Sequence, residues 1–248
     1  MIETEFNGAT ASGVHSVKIE IWSDIACPWC YVGKRRFESA LADFPHAGDV
    51  EVVWRSFELD SSAPQRQEGR QAELLARKYG VPLDRAEAMN ANMTAEAKKE
   101  GLDFHFERVQ VGNTFDAHRL IHFADAHGKR GEMVERLFRA YLTDGEALGD
   151  RDVLVRLAAD IGLDSDSVRS ALMGSAFVDA VRADQERARM FGISGVPFFA
   201  IDEKYGVSGA QPSAALLEVL EQAWNDAGVA EVAVSAPADG CDDGRCAV

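Results

Sequence analysis

Cys27-Pro28-Trp29-Cys30 sets two thiols three residues apart, after a strand-like run and at the opening of a helix-like one. A disulfide is attacked by a thiolate, so the position of each sulfur matters more than its presence. Unsatisfied N–H groups and the dipole of a helix start favour an anion at Cys27, which makes it the expected exposed nucleophile. Cys30, one turn along, is placed to resolve a mixed disulfide formed at Cys27 and is expected to be the more buried thiol. Pro28 suits the first helical turn, where a missing N–H costs nothing. The competing chemistry for a C-x-x-C pair is half of a zinc site, which needs four ligands, usually from two closely spaced pairs. The second pair, Cys241 and Cys246, is a wider C-x4-C near the C-terminus, and no histidine flanks either pair. Redox chemistry is therefore the expectation, with no metal.

Cys241 and Cys246 follow a small, weakly apolar stretch read as a mobile tail from 228 to 248. The segment from Gly228 to Cys241, if flexible, spans about 20 Å, enough to reach Cys27. An auxiliary redox pair that exchanges with or caps Cys27–Cys30 is one reading, and an inert tail is the other. His118 and His122 stand at i, i+4, a spacing that could hold a metal, yet no third ligand is evident. Asn113 is placed to cap a helix. Asp24 reads either as a proton acceptor for Cys30 or as a cap on the strand–helix turn.

The composition narrows the partners. A formal charge of −15 over 248 residues argues against nucleic acid and anionic membrane surfaces. Lys34, Arg35 and Arg36 form a basic cluster beside the first cysteine pair, read as a local electrostatic feature. No apolar run approaches the roughly 20 residues that cross a bilayer. The N-terminal stretch has no basic start followed by an apolar run, so no secretory signal is expected. Four cysteines are too few for a disulfide scaffold, and the expected compartment is the reducing cytoplasm.

The elements that must position the cysteines follow from periodicity. Residues 17–24 alternate as a strand, a helix follows Pro28, and 50–59 are rich in β-branched and aromatic residues, which together predict a right-handed βαβ unit. Helical periodicity fills 67–80, 82–101, 114–128, 130–144, 150–162, 164–174 and 176–191, with glycines at the breaks. Strand character returns at 195–202 and 204–211, before a helix over 212–227. The expected organisation is a leader (1–16), one sheet domain built from 17–62 and 192–227, an inserted helical domain (63–191) and the tail.

"SDIACPWCYVGKRRFESAL" (23–41), "NTFDAHRL" (113–120) and "FGISGVPFFAID" (191–202) resemble the DsbA-type thioredoxin-fold oxidoreductases, above all their cytoplasmic FrnE-like group. The resemblance spans roughly residues 17 to 227. It implies an α/β class: a thioredoxin fold (βαβ…ββα) with a large all-helical insertion. It also implies thiol–disulfide exchange on client proteins with disulfides and no organic cofactor. The recycling partner would be a low-molecular-weight thiol or a reductase. A cis-proline at Pro197 is implied too, with the Val196 backbone placed to pair with an extended substrate, and Phe115, His118 or Arg119 near the groove. Pro28 and Trp29 stand where stronger oxidants carry a histidine. Trp29 thus offers an apolar platform, and reductase or isomerase work is expected. Related glutathione-dependent isomerases and kappa-class transferases share the inserted-helix plan but place serine where Cys27 stands. A non-enzymatic zinc module or holdase is the remaining alternative. Nothing in the pattern sets an oligomeric state.

Overall fold

The computed structural model describes residues 16–235, with side chains to residue 227. Strand β1 (Val17–Ser23) leads through a tight turn into helix α1 (Pro28–Asp43), and β2 (Val50–Ser56) returns parallel to β1. Seven helices follow: α2 (Gln71–Tyr79), α3 (Leu83–Lys99), α4 (Phe115–Asp125), α5 (Arg130–Arg139), α6 (Arg151–Asp160), α7 (Ser165–Met173) and α8 (Val178–Met190). Then β3 (Phe198–Ile201) and β4 (Tyr205–Ser208) complete the sheet, and α9 (Ser213–Ser235) ends the described chain. The strand order is β2-β1-β3-β4, with β3 antiparallel to both β1 and β4.

The period-2 pattern of β1 sends Val17, Ile19 and Ile21 toward α1 and α9, where they pack with Phe37, Phe199 and Leu220. The other face is also covered. Trp22 packs there with Ala188 of α8 and Ile193. Glu20, on the same face, is fully buried between Arg55 and Arg187. Beside it, Asp184 of α8 accepts from Arg55 at 2.9 Å and from the Ser56 backbone N–H at 2.9 Å, and stands 3.0 Å from His122 Nε2. This ionic layer joins the sheet to α4 and α8.

The structure moves several expected boundaries. α2 starts at Gln71 rather than 67, because the Gln67 N–H is given to Val111 O at 2.8 Å and the Asn113 N–H to Pro64 O at 2.9 Å. The connection from β2 is thereby laid against the segment before α4. Added Cβ atoms at Gly112 and Gly149 would stand 2.2 and 1.8 Å from Gln65 O, so both positions need glycine for the crossing. The helix expected over 130–144 keeps those bounds, as α5 followed directly by a wider helical turn over Ala140–Asp144, and it stops at Gly145 with φ +77°. α9 runs on to Ser235, past residue 227 where a mobile tail was expected to begin. Cys241 and Cys246, like leader residues 1–15, lie outside the described residues.

Acid should loosen this structure in a defined window. Burial alone would raise the carboxyls of Glu20, Asp24 and Asp184. Their arginine, histidine and backbone N–H partners outweigh it and hold all three below the ordinary carboxylate range. Glu135 goes the same way, to about 2, through Arg35, Lys34 and Tyr31. A carboxyl depressed in the folded state contributes stability above its unfolded value, and that contribution is lost as pH falls through the folded one. The melting temperature should therefore hold near neutrality and fall steeply from about pH 4 to pH 2. A melting series flat down to pH 2 would contradict the assignment.

Candidate active site

Cys27 is the N-cap of α1, in extended conformation (φ −92°, ψ 109°), with Pro28 opening the helix. Its backbone N–H donates to Asp24 O at 3.0 Å, and its carbonyl accepts from the Cys30 N–H at 3.0 Å. The two sulfurs are free thiols and both are buried. Cys27 was expected to be exposed but is only 6% so, against 1% for Cys30. The difference between the two positions lies in what each meets. Cys27 lines a large groove and its Sγ donates to Val196 O at 3.6 Å. Cys30 lies behind it, where burial and then the neighbouring Cys27 push its thiol well above the ordinary range, against the pull of the Ser23 hydroxyl and Asp24 backbone.

The groove holds about 550 Å³ and runs from the cysteine turn beneath α2 and α3. Its walls are mostly apolar, from Leu74, Met93, Phe106, Val109 and Leu142, with Gln67, Gln71 and Lys78 as polar groups. Trp29, Leu59 and Tyr79 also line it while being 43, 40 and 57% exposed. Large apolar side chains left in water at one mouth mark a binding surface. Pro28 lines the groove too, whereas Val196 and Pro197 flank Cys27 from another side and are not among its lining residues. The Val196–Pro197 bond is cis. Pro197 packs on Gly33, where an added Cβ would approach Pro197 Cγ to 2.9 Å. That close approach is invisible in the sequence, since a single glycine in a helix otherwise only weakens it.

The basic cluster beside the cysteines is spent on ion pairs. Lys34 and Arg35 bind Glu38 and Glu135, and Arg36 binds Glu96 and Glu100. These contacts tie α1 to α3 and α5 in place of an open positive field at Cys27.

The residues of "NTFDAHRL" divide between structure and site. Asn113 Oδ1 accepts from the Phe115 N–H at 2.8 Å at the start of α4. The Phe115 ring lies beneath the Arg182 guanidinium, 4.3 Å from it. Arg119, 3% exposed, donates to the carbonyls of Ala171, Leu172, Gly174 and Ala176 around the end of α7, and to Asp116. None of Phe115, His118 and Arg119 lines the groove. His118 and His122 do not converge, because His122 faces Asp184 while His118 Nε2 stands 3.5 Å from Asp24 Oδ1. Among the described residues no cluster of ligands fit for a metal occurs. Of the two jobs open to Asp24, the structure shows the one at the turn. Its carboxylate accepts from the Ala26 and Leu59 N–H groups at 3.2 and 2.7 Å, fixing the turn and the groove rim, and it also faces His118.

A family model described as a DSBA-like thioredoxin domain matches residues 18–221. The uncharacterized protein YwbO of Bacillus subtilis is 32% identical over 214 residues, covering 85% of this chain and 97% of its own. The crystal structure of a probable DsbA oxidoreductase, SCO1869 of Streptomyces coelicolor, superposes with a TM-score of 0.82 at 42% identity, over 94% of this chain and 99% of that one. The cytosolic disulfide reductase DsbM of Pseudomonas aeruginosa shares the fold, with a TM-score of 0.56 at 15% identity, over 88% of this chain and all of its own. No described helix is long and apolar enough to cross a membrane.

Proposed function

The chain belongs to the DSBA-like thioredoxin domain family of thiol–disulfide oxidoreductases, and from that premise we propose that it exchanges disulfides with client proteins. The observation that carries this is the setting of Cys27: a thiol at the N-cap position of a helix, lining an apolar groove, with Cys30 one turn behind. Cys27 attacks a client disulfide and forms a mixed disulfide, releasing one client thiol. Cys30 then attacks Cys27 Sγ, forming the Cys27–Cys30 bond and releasing the second thiol. The client gains two electrons and two protons, and the protein loses them.

Trp29, with Leu59 and Tyr79, receives apolar side chains next to the client cysteine. Pro28 holds the turn. The Val196–Pro197 segment meets the client backbone beside Cys27, as a short form of strand addition. An FrnE-like role as reductase or isomerase in a reducing compartment, recycled by a small thiol or a reductase, fits the absence of a charged residue between the cysteines. The solved complex of DsbM with GSH supports glutathione as a candidate for that thiol. In this reading Cys241 and Cys246 are auxiliary thiols.

The test is a redox titration of Cys27–Cys30 combined with insulin reduction and scrambled-ribonuclease refolding. We expect a potential well below the roughly −120 mV of a strong oxidant and activity in at least one of the two assays. A potential at that level would overturn the reductase or isomerase reading. Silence in both assays would overturn exchange on proteins.

A further inference from the structure

Helix α2 buries none of its nine residues, yet its Leu74, Leu75 and Tyr79 line the groove at Cys27. An amphipathic helix that leaves its apolar face uncovered offers that face to something outside the chain. Lys78, in the last turn of α2, is the one cation among the described residues that line the groove. Arg70, at the other end of the helix, is paired with Glu73 and Glu87, whereas Lys78 forms no ion pair with any described residue. Its ammonium stands 6.0 Å from the centre of the exposed Tyr79 ring.

Hydrogen-bonding groups are also left over along the apolar walls. Thr114 lines the groove, is 4% exposed, and does not use its hydroxyl to cap α4. The Gln67 side-chain amide bonds no described residue. Asn90 Nδ2 donates to Gln71 Oε1, which leaves the Gln71 N–H groups and the Asn90 oxygen free. The two carboxylates of the lining are occupied, unlike Lys78. Asp24 accepts from the Ala26 and Leu59 N–H groups, and Asp60 from the Ser62 N–H and hydroxyl. Because the Leu59 N–H is bound to Asp24, Asp60 stands beside the cysteine turn. Negative charge therefore lies by that turn and positive charge on α2.

We infer that Lys78 is a subsite for a client carboxylate, so that the groove selects an extended segment with apolar side chains and, beyond them, an aspartate or glutamate. The inference rests on the exchange with client proteins proposed above and names the class of sequence it takes. A peptide suits the leftover groups: its backbone N–H and C=O pair with Thr114, Gln67, Gln71 and Asn90 while its side chains fill the apolar walls. An acyl chain would cover those polar groups without pairing them, which weakens its binding at each one. A basic segment would bring like charge to Lys78. The net charge of −15 acts in the opposite sense and draws basic peptides in from a distance. Preference for an acidic client is thus a local effect of Lys78, and reversing that one charge isolates it.

The probes are short peptides closed by one disulfide, flanked by leucine and phenylalanine and then by either glutamates or lysines. Reduced full-length protein in excess is mixed with each, acid-quenched, and read by mass for the reduced peptide, which gives a second-order rate constant. Lys78→Glu should shift the ratio of acidic-peptide to basic-peptide rate constants by about fivefold or more toward the basic peptide, and Lys78→Gln by less. High salt should shrink the shift. Lys204→Glu, in the β3–β4 turn outside the groove, changes the net charge equally and should leave the ratio within about twofold. A Lys78→Glu shift no larger than that of Lys204→Glu overturns the subsite. A slower reaction of Lys78→Glu with glutathione disulfide, at an unchanged peptide ratio, also overturns it and gives the cation to the small thiol. Dodecanoate that shuts out both peptides equally overturns it too and gives the groove to an acyl chain. A wild-type protein that reduces none of the peptides overturns the exchange reading instead.

Discussion

Cys27→Ala should abolish exchange, lowering turnover of a peptide disulfide by at least about 10³-fold while the fold persists. The side chain is small and meets a groove, so its loss leaves little unfilled volume. Cys30→Ala should fail differently. The first attack survives, and the protein should accumulate as a mixed disulfide on Cys27 that intact mass spectrometry detects directly. The two phenotypes assign unequal tasks to two thiols three residues apart, both buried, of which Cys27 lines the groove. Equal loss in both variants with no trapped species would remove the division of labour. A Cys27→Ser protein that still turned over with glutathione would move the reading to a glutathione-dependent isomerase or transferase.

The largest effect on stability is expected at Arg119, a residue outside the groove. Its guanidinium makes five hydrogen bonds, four of them to the carbonyls of Ala171, Leu172, Gly174 and Ala176 at 2.6–3.2 Å. The last carbonyls of a helix have no partner within it, and here a cation from α4 supplies one. Arg119→Met keeps much of the volume and removes every donor. The cost is about 3–5 kcal/mol, the scale of breaking a buried ionic contact, or roughly 6–20 °C in melting temperature for a chain of this size. Calorimetry or urea titration reads it. A loss below about 1 kcal/mol would mean that water satisfies those carbonyls as well as the side chain does.

The family and the fold class could be read from the sequence because both rest on local pattern. Period-2 runs, helical periods and a thiol pair at a strand–helix junction sit within a few residues of one another. The unread parts depend on distant partners. Lys34 and Arg35 look like a positive patch until Glu135, a hundred residues on, neutralises them. His118 and His122 share a helical face at metal-binding spacing, yet each meets a carboxylate from a different element. Arg119 carries no mark in the sequence of its place against α7. The early start expected for α2 fails for a related reason. The helix expected from residue 67 opens only at Gln71, because the Gln67 N–H is claimed by Val111 O.

The order of the sheet sets an order of assembly. β1 can pair with β2 once residue 56 is made, but its other neighbour, β3, begins only at Phe198, after every inserted helix. At roughly 5–20 residues per second, Cys27 waits on the order of ten seconds or more for Val196 and Pro197 to reach it. Throughout that interval residues 1–197 offer two thiols, Cys27 and Cys30, since Cys241 and Cys246 are still unmade. Within those residues, an oxidant that meets the unfinished protein can close only the disulfide between Cys27 and Cys30.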